Sequence, residues 1–323
     1  MQTNPAENGH AQRRWPRPAG WTQSWLAGAL VMGATWLIMA AALAAPASGD
    51  AQAQLNAKYL ELAPRLNQNQ FSRPMVIDSV ESPTDPTGEV YAVMDFPYAS
   101  VQRTFTQAGN WCDVLILHIN TKYCQQVNSA GGPLLQMGIG SKSPEAMDRA
   151  FRLSFDFRVT AATPDYFEVN LGADKGPLAT SHYRIRLAAM PLPNGRTFLH
   201  LTYSYQVGMA GRLAMQAYLA TAGMGKVGFT IVSTDANGKP DYVKGVRGVV
   251  ERNTMRYYLA IASYLGAPAA PRAEQMENRL QAWYDATERY PRQLHEVDRV
   301  SYMSMKRDEY KRQQTLIPQA ASL

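Results

Sequence analysis

The sequence predicts an α+β fold: an antiparallel sheet with one apolar face, and a long helix to cover that face. Three observations carry the prediction. Phe151, Leu153, Phe155, Phe157 and Val159 alternate with Arg152, Ser154, Asp156, Arg158 and Thr160. Side chains two apart on a strand share a face, so one face is oily and the other wet. The pattern recurs at Phe167/Val169/Leu171, Tyr183/Ile185/Leu187, Leu199/Leu201/Tyr203/Tyr205 and Val227/Phe229/Ile231. Asn194-Gly195 and Asn237-Gly238 fall between such runs, and Asn-Gly tolerates the positive φ that tight hairpins need. Residues 251–265 then read as a helix with Met255, Tyr258, Leu259, Ala262 and Leu265 on one face, the natural cover for the sheet.

Ahead of that block, Leu55, Tyr59, Leu62 and Leu66 keep a helical period, which predicts a short amphipathic helix within 50–70. Residues 74–79 and 89–95 read as two strands joined by turn chemistry at 82–88. Pro97 suits a helix entry, and Val101, Phe105 and Ala108 continue it until Gly109-Asn110. Trp111 opens a second short apolar segment, and strand-like stretches follow at 122–127 and 134–137. Residues 208–222 interrupt the alternation with a helical pattern, after which the sheet is expected to resume at Lys226 with two strands. Beyond Pro268 and Pro271 come two more helices. The first has Met276, Leu280, Trp283 and Tyr284 on its apolar side. The second, over 292–314, is dense in charge of both signs and reads as a solvated face.

The first fifty residues carry the most specific signal. Arg13, Arg14 and Arg17 precede an uncharged run over 25–44, and small residues follow at Ala42-Leu43-Ala44 and Pro46-Ala47-Ser48. A basic start, an apolar run and an A-x-A-like exit describe a secretory signal peptide. The run is also long enough for a retained transmembrane helix. Both readings put the rest of the chain across a membrane, periplasmic or inner-membrane anchored and facing the periplasm. Cys112 and Cys124 suit that compartment as a disulfide, worth roughly 3 kcal/mol on the chain-entropy estimate; two small buried thiols are the other reading. The formal charge of +6 is mild and unclustered, which gives no electrostatic case for nucleic acid. No metal-ligand spacing, phosphate-cradling glycine loop or paired carboxylates are present, so neither a metal nor a cofactor is expected.

The element order (hairpin, two short helices, antiparallel meander, long amphipathic helix) resembles the helix-grip superfamily of START-type lipid-transfer domains, pollen-allergen-like proteins and polyketide cyclases (START-like, SRPBCC). Pro97, Val101, Phe105 and Asn110-Trp111 look like that superfamily's first-helix signature. The resemblance covers residues 71–266. It leaves 1–47 as signal or anchor, 50–70 as a short helix and linker, and 267–323 as a C-terminal helical extension. The inserted helix at 208–222 and the helices after Pro271 depart from it.

What the resemblance implies is a curved sheet gripping a helix, with a tunnel for one hydrophobic, lipid-like molecule between them. The expected lining is Phe155, Phe157, Val169, Tyr183, Ile185, Leu201, Tyr203, Phe229 and Ile231 from the strands, with Met255, Tyr258 and Leu259 from the helix. Arg247, Arg252 and Arg256 are candidate anchors for a headgroup, beside Glu251. The same apolar stripe would also serve as plain core. A cyclase- or hydrolase-type enzyme on this fold is the alternative. A non-catalytic interaction module, with helices 272–314 as its docking surface for a protein partner, is another.

No catalytic residue is assigned. Cys112, Asp113 and His118 have the residue types of an activated thiol, but a bridge to Cys124 would consume it. His182, Arg184 and Arg186 are expected to face His200, Thr202 and Ser204 across Asn194-Gly195. That patch reads as the wet face of the sheet, with an anion site as the alternative.

Overall fold

A computed structural model describes residues 48–320 apart from 83, 222 and 268. The expected signal or anchor segment, 1–47, lies outside them. Among the described residues no helix is long and apolar enough to cross a membrane.

The chain runs α1 (Ser48–Asn67), β1 (Met75–Val80), β2 (Thr87–Met94), α2 (Tyr98–Phe105), α3 (Ala108–Leu115), β3 (Thr121–Ser129) and β4 (Gly132–Ile139). It continues through β5 (Phe151–Ala162), β6 (Phe167–Lys175), β7 (Thr180–Leu192), β8 (Arg196–Val207) and α4 (Met209–Ala220). Last come β9 (Ile231–Thr234), β10 (Pro240–Tyr242), α5 (Gly245–Gly266), α6 (Arg272–Glu288), α7 (Pro291–Leu294) and α8 (Arg299–Ala320).

Eight strands form one antiparallel sheet in the order β1-β2-β8-β7-β6-β5-β4-β3. The meander from β3 to β8 follows the alternation seen in the sequence. Asn194 and Gly195 both have positive φ (64° and 69°) within the short loop 193–195 that joins Leu192 of β7 to its partner Arg196 of β8. The first hairpin then closes on the last strand of the meander, with Val90 opposite Leu201 and Ala92 opposite Leu199. Helices α2 and α3 carry the chain from that side of the sheet to the far edge at β3.

The sheet curves around α5. Val90, Ala92, Leu199, Leu201, Ile185, Leu187, Val169, Leu171 and Phe157 form one buried cluster with Val250, Met255, Tyr258 and Leu259 of the helix. Burial of each such side chain contributes about 1.5–3 kcal/mol, so this interface dominates the stability of the domain. Gly88 on β2 permits the close approach. A Cβ there would lie 2.3 Å from Thr254 Oγ1. Glu251 is fully buried and fastens the preceding segment to the helix: it accepts the Phe229 N–H at 2.6 Å, the Thr230 N–H at 2.9 Å and the Ser79 hydroxyl at 2.5 Å. The disulfide is present, joining Cys112 of α3 to Cys124 of β3.

Three expectations are corrected. The sheet does not resume at Lys226. Val227 and Phe229 are buried without forming a strand, and β9 and β10 make a separate two-stranded hairpin. The reason is the strand order: β8 already has β7 on one side and β2 on the other, so the chain leaving β8 finds no free side of that strand to pair with. The outer face of the sheet is not uniformly wet either. Leu55, Leu62 and Leu66 of α1 pack there on Val76, Tyr91, Met190 and Phe198.

The charge run is the third correction. It is a short α7 followed by α8, and part of it is core. Lys306 and Glu309 are fully buried with Lys122 of β3, Glu309 lying 3.0 Å from Lys122 Nζ and 2.5 Å from Lys306 Nζ. Burial pulls the Lys306 ammonium down to about 8, against the attraction of Glu309. This trio clamps α8 to β3, helped by Tyr302, whose hydroxyl donates to the Leu117 carbonyl at 2.9 Å. Arg307 and Lys311 of the same helix are exposed, as a solvated face requires.

Candidate functional site

At one end of the grip the sheet and α5 part, leaving a cavity of about 440 Å³. The end in question holds the start of β5, the start of β7 and the finish of β8. Leu153, Phe155, Tyr183, Tyr203 and Tyr205 form its sheet side. The first half of α5 contributes Val249, Arg252, Asn253, Arg256 and Tyr257, positions that recur every three or four residues and so share one helical face. α4 lies across it with Gly211, Ala214, Met215 and Tyr218, next to Pro177 and Leu178 of the β6–β7 turn. Gly211 allows that fit, since a Cβ would meet the Leu178 carbonyl at 3.0 Å.

Aromatic rings dominate the inner surface. Tyr183 stacks on Tyr205 at 5.4 Å, Tyr203 meets Tyr257 at 5.2 Å, and Tyr257 stacks on His118 at 4.9 Å. Burial raises the hydroxyls of Tyr203, Tyr205 and Tyr257, so they stay protonated and serve as neutral hydrogen-bonding groups. His118 is likewise neutral. Burial first, then the charges of Arg256, Lys306, Lys142 and Lys122, hold it well below the ordinary histidine value. Its Nδ1 accepts the Asn120 N–H at 3.2 Å, which places the proton on Nε2.

The cationic groups gather at one part of this wall. Glu296, from the segment between α7 and α8, lies 2.7 Å from Arg256 Nη2 and 2.7 Å from Lys142 Nζ, and it also pairs with Lys226. Burial drives the Glu296 carboxyl upward, but Arg256 and Lys142 overcome this and hold it at about 2. Burial pulls the Lys142 ammonium down to about 8 despite Glu296. Arg252 Nη1 donates to the Val227 carbonyl at 3.2 Å.

Of the residues expected to line a tunnel, Phe155, Tyr183 and Tyr203 do so, joined by Arg252 and Arg256. Phe157, Val169, Ile185, Leu201, Phe229, Met255, Tyr258 and Leu259 are buried elsewhere in the core. Ile231 sits on β9 at 44% exposure. Arg247 turns away, its Nε–H donating to Ser79 Oγ at 3.0 Å. Period-two alternation identifies the concave face, but not which stretch of it the helix leaves uncovered. Tyr205 continues the alternation after Tyr203, and Asn253 and Tyr257 share the helical face of Arg252 and Arg256, so those three had a readable signal. Lys142 and Glu296 lie in connecting segments and had none.

On the outer face, Arg186 Nη1 lies 3.3 Å from His200 Nδ1, and His200 Nε2 lies 3.1 Å from Glu89. Arg186 also reaches Glu168 at 2.6 Å. These charges satisfy one another. His182 does not join them, because a register shift between Ser181 and Arg184, with φ of 49° at His182, turns it aside.

No family model matches the chain, and no curated protein matches it. Among solved structures it is similar to a point mutant of norcoclaurine synthase from Thalictrum flavum, with 10% identity, 45% of this chain and 90% of that chain covered, and a TM-score of 0.32. Human StAR-related lipid transfer protein 5 is 10% identical over 53% of this chain and 90% of its own, with a TM-score of 0.29. An aromatase/cyclase from a Streptomyces species is 11% identical over 46% and 87%, with a TM-score of 0.31. In fold the protein is one curved antiparallel sheet, its first hairpin paired to its last strand, gripping a long helix.

Proposed function

We propose that this protein binds one hydrophobic, lipid-like small molecule between its sheet and α5. The observation that supports this is the 440 Å³ cavity, walled by aliphatic and aromatic side chains with a few polar groups at one part. Such a space suits a mostly apolar guest, because a few convergent polar groups orient a ligand whose surface is otherwise buried against carbon. Binding is favoured over hydrolytic or cyclising catalysis by the chemistry of the wall. Among the described residues both cysteines are bridged, and no carboxylate lines the cavity to pair with His118.

The same proposal places the bulk of the chain outside the cytoplasm. Its support is the basic-then-apolar run of 1–44 together with a disulfide in the fold. N-terminal sequencing of the protein recovered from cell fractions tests that part.

Solvent extraction of the purified full chain, followed by mass spectrometry, tests the binding. The expected result is one class of apolar molecule, and saturable uptake of the neutral dye Nile red at one per chain. An empty extract with no dye uptake overturns the reading.

A further inference from the structure

The balance of charge around the cavity narrows the ligand. Among the described residues its wall carries three cationic side chains, Lys142, Arg252 and Arg256, and no carboxylate. The counter-charge comes from behind the wall, from Glu296. That single carboxylate is already shared by Lys142, Arg256 and Lys226. Arg252 is 2% exposed, and no carboxylate lies within ion-pair distance of it among the described residues. Its neighbour Glu251 makes no ion pair with it and instead accepts hydrogen bonds from Phe229, Thr230 and Ser79. Arg256, 3% exposed, leaves its Nε without a partner. His118 is neutral and offers no compensation.

Positive charge in excess, held away from water, is costly unless an anion approaches it. Arg252 and Arg256 are one helical turn apart on the same face of α5, so both guanidiniums serve one region. Guanidinium forks match the planar oxygens of a carboxylate or the tetrahedral oxygens of a phosphate. The rest of the lining is uncharged, mostly aliphatic and aromatic, with His118, Asn120, Thr180 and Asn253 as its other polar side chains. We infer that the ligand is an anionic amphiphile: a single hydrophobic chain ending in a carboxylate or phosphate, with its head at Arg252 and its tail between Tyr203, Tyr205 and α4. This rests on the cavity being the binding site.

Displacement of Nile red from the full chain by dodecanoate, by dodecanol and by inorganic phosphate tests the inference. A charge-assisted hydrogen bond predicts that dodecanoate competes roughly tenfold to a hundredfold more tightly than dodecanol. Arg252→Gln should abolish the preference for the acid over the alcohol, and Arg252→Lys should restore part of it. Equal competition by acid and alcohol in the unmutated chain overturns the anionic head and leaves the hydrophobic site standing. Preference for the acid that survives Arg252→Gln overturns the assignment to Arg252. Phosphate competing as well as dodecanoate assigns the charges to a free oxyanion and overturns the amphiphile. If no Nile red enters at all, the binding reading itself falls.

Discussion

Glu296 holds together the cationic part of the cavity, and its removal is the sharpest structural prediction. In Glu296→Gln the Arg256 guanidinium keeps its buried place but loses its counter-charge, as does the half-buried Lys142. A carboxyl that titrates at about 2 in the fold, against an ordinary value of 4.5, gains about 3 kcal/mol from its surroundings. Breaking a buried pair by removing one partner costs about 3–5 kcal/mol. The two figures meet at about 3 kcal/mol. Arg256 tells the other half: burial lowers its guanidinium despite Glu296, so the pair as a whole is worth less than the carboxyl alone suggests. What the substitution measures is chiefly the cost of leaving the cations bare.

Because the folded value is depressed, this stabilisation is complete above pH 4.5 and drains away as pH falls toward 2. Urea denaturation of both proteins should therefore differ by about 3 kcal/mol at neutral pH, with the gap narrowing steadily below pH 4.5. A neutral-pH loss under about 1 kcal/mol, or a gap that ignores pH, would refute the reasoning.

Four further outcomes are expected. Lys142 loses its proton near 8, so the affinity for dodecanoate should decline above that pH while dodecanol is unaffected; a flat titration of the acid contradicts this. Cys112→Ser with Cys124→Ser should lower stability by about 3 kcal/mol, and thiol labelling of the unreduced, denatured parent should find no reactive thiol. Glu309→Gln strands Lys122 and Lys306 without counter-charge and should cost about 3–5 kcal/mol by chemical denaturation, whereas Lys122→Met, Lys306→Met and Glu309→Leu together should come near neutral. Gly88→Ala drives a methyl into Thr254 and should cost about 1–3 kcal/mol; adding Thr254→Ala should recover part of it, and a purely additive double mutant would contradict the contact.

Much of the fold was legible because it rests on short-range pattern. The alternation of β5 through β8 reports the pleat, and the apolar face of α5 reports its period. Helix α5 nevertheless begins at Gly245, ahead of the expected 251, because its first turn bears few large apolar residues to mark it. The contradicted parts depend on partners far away in sequence. Lys306 and Glu309 look like any solvated pair until Lys122, 187 residues before Glu309, comes to lie between α8 and the sheet edge. The hairpin near Asn237-Gly238 was readable as a hairpin, but not as one shut out of the main sheet by the β2–β8 pairing.

The candidate site divides in the same way. Tyr203 and Arg256 announced themselves through the faces of a strand and a helix. The ionic partnership around Glu296 joins three connecting or helical segments that share no local pattern. The position of the opening depends on how far α5 covers the concave face, which no single strand encodes.

The central claim is a guest lodged between the curved sheet and the first half of α5. A crystal of the full chain grown with a terminally brominated fatty acid would locate the tail by anomalous scattering from bromine. The account predicts one bromine site per chain, bounded by Tyr203, Tyr205 and the inner side of α4. A bromine peak on the outer face beneath α1, or at the surface of α8, would contradict it.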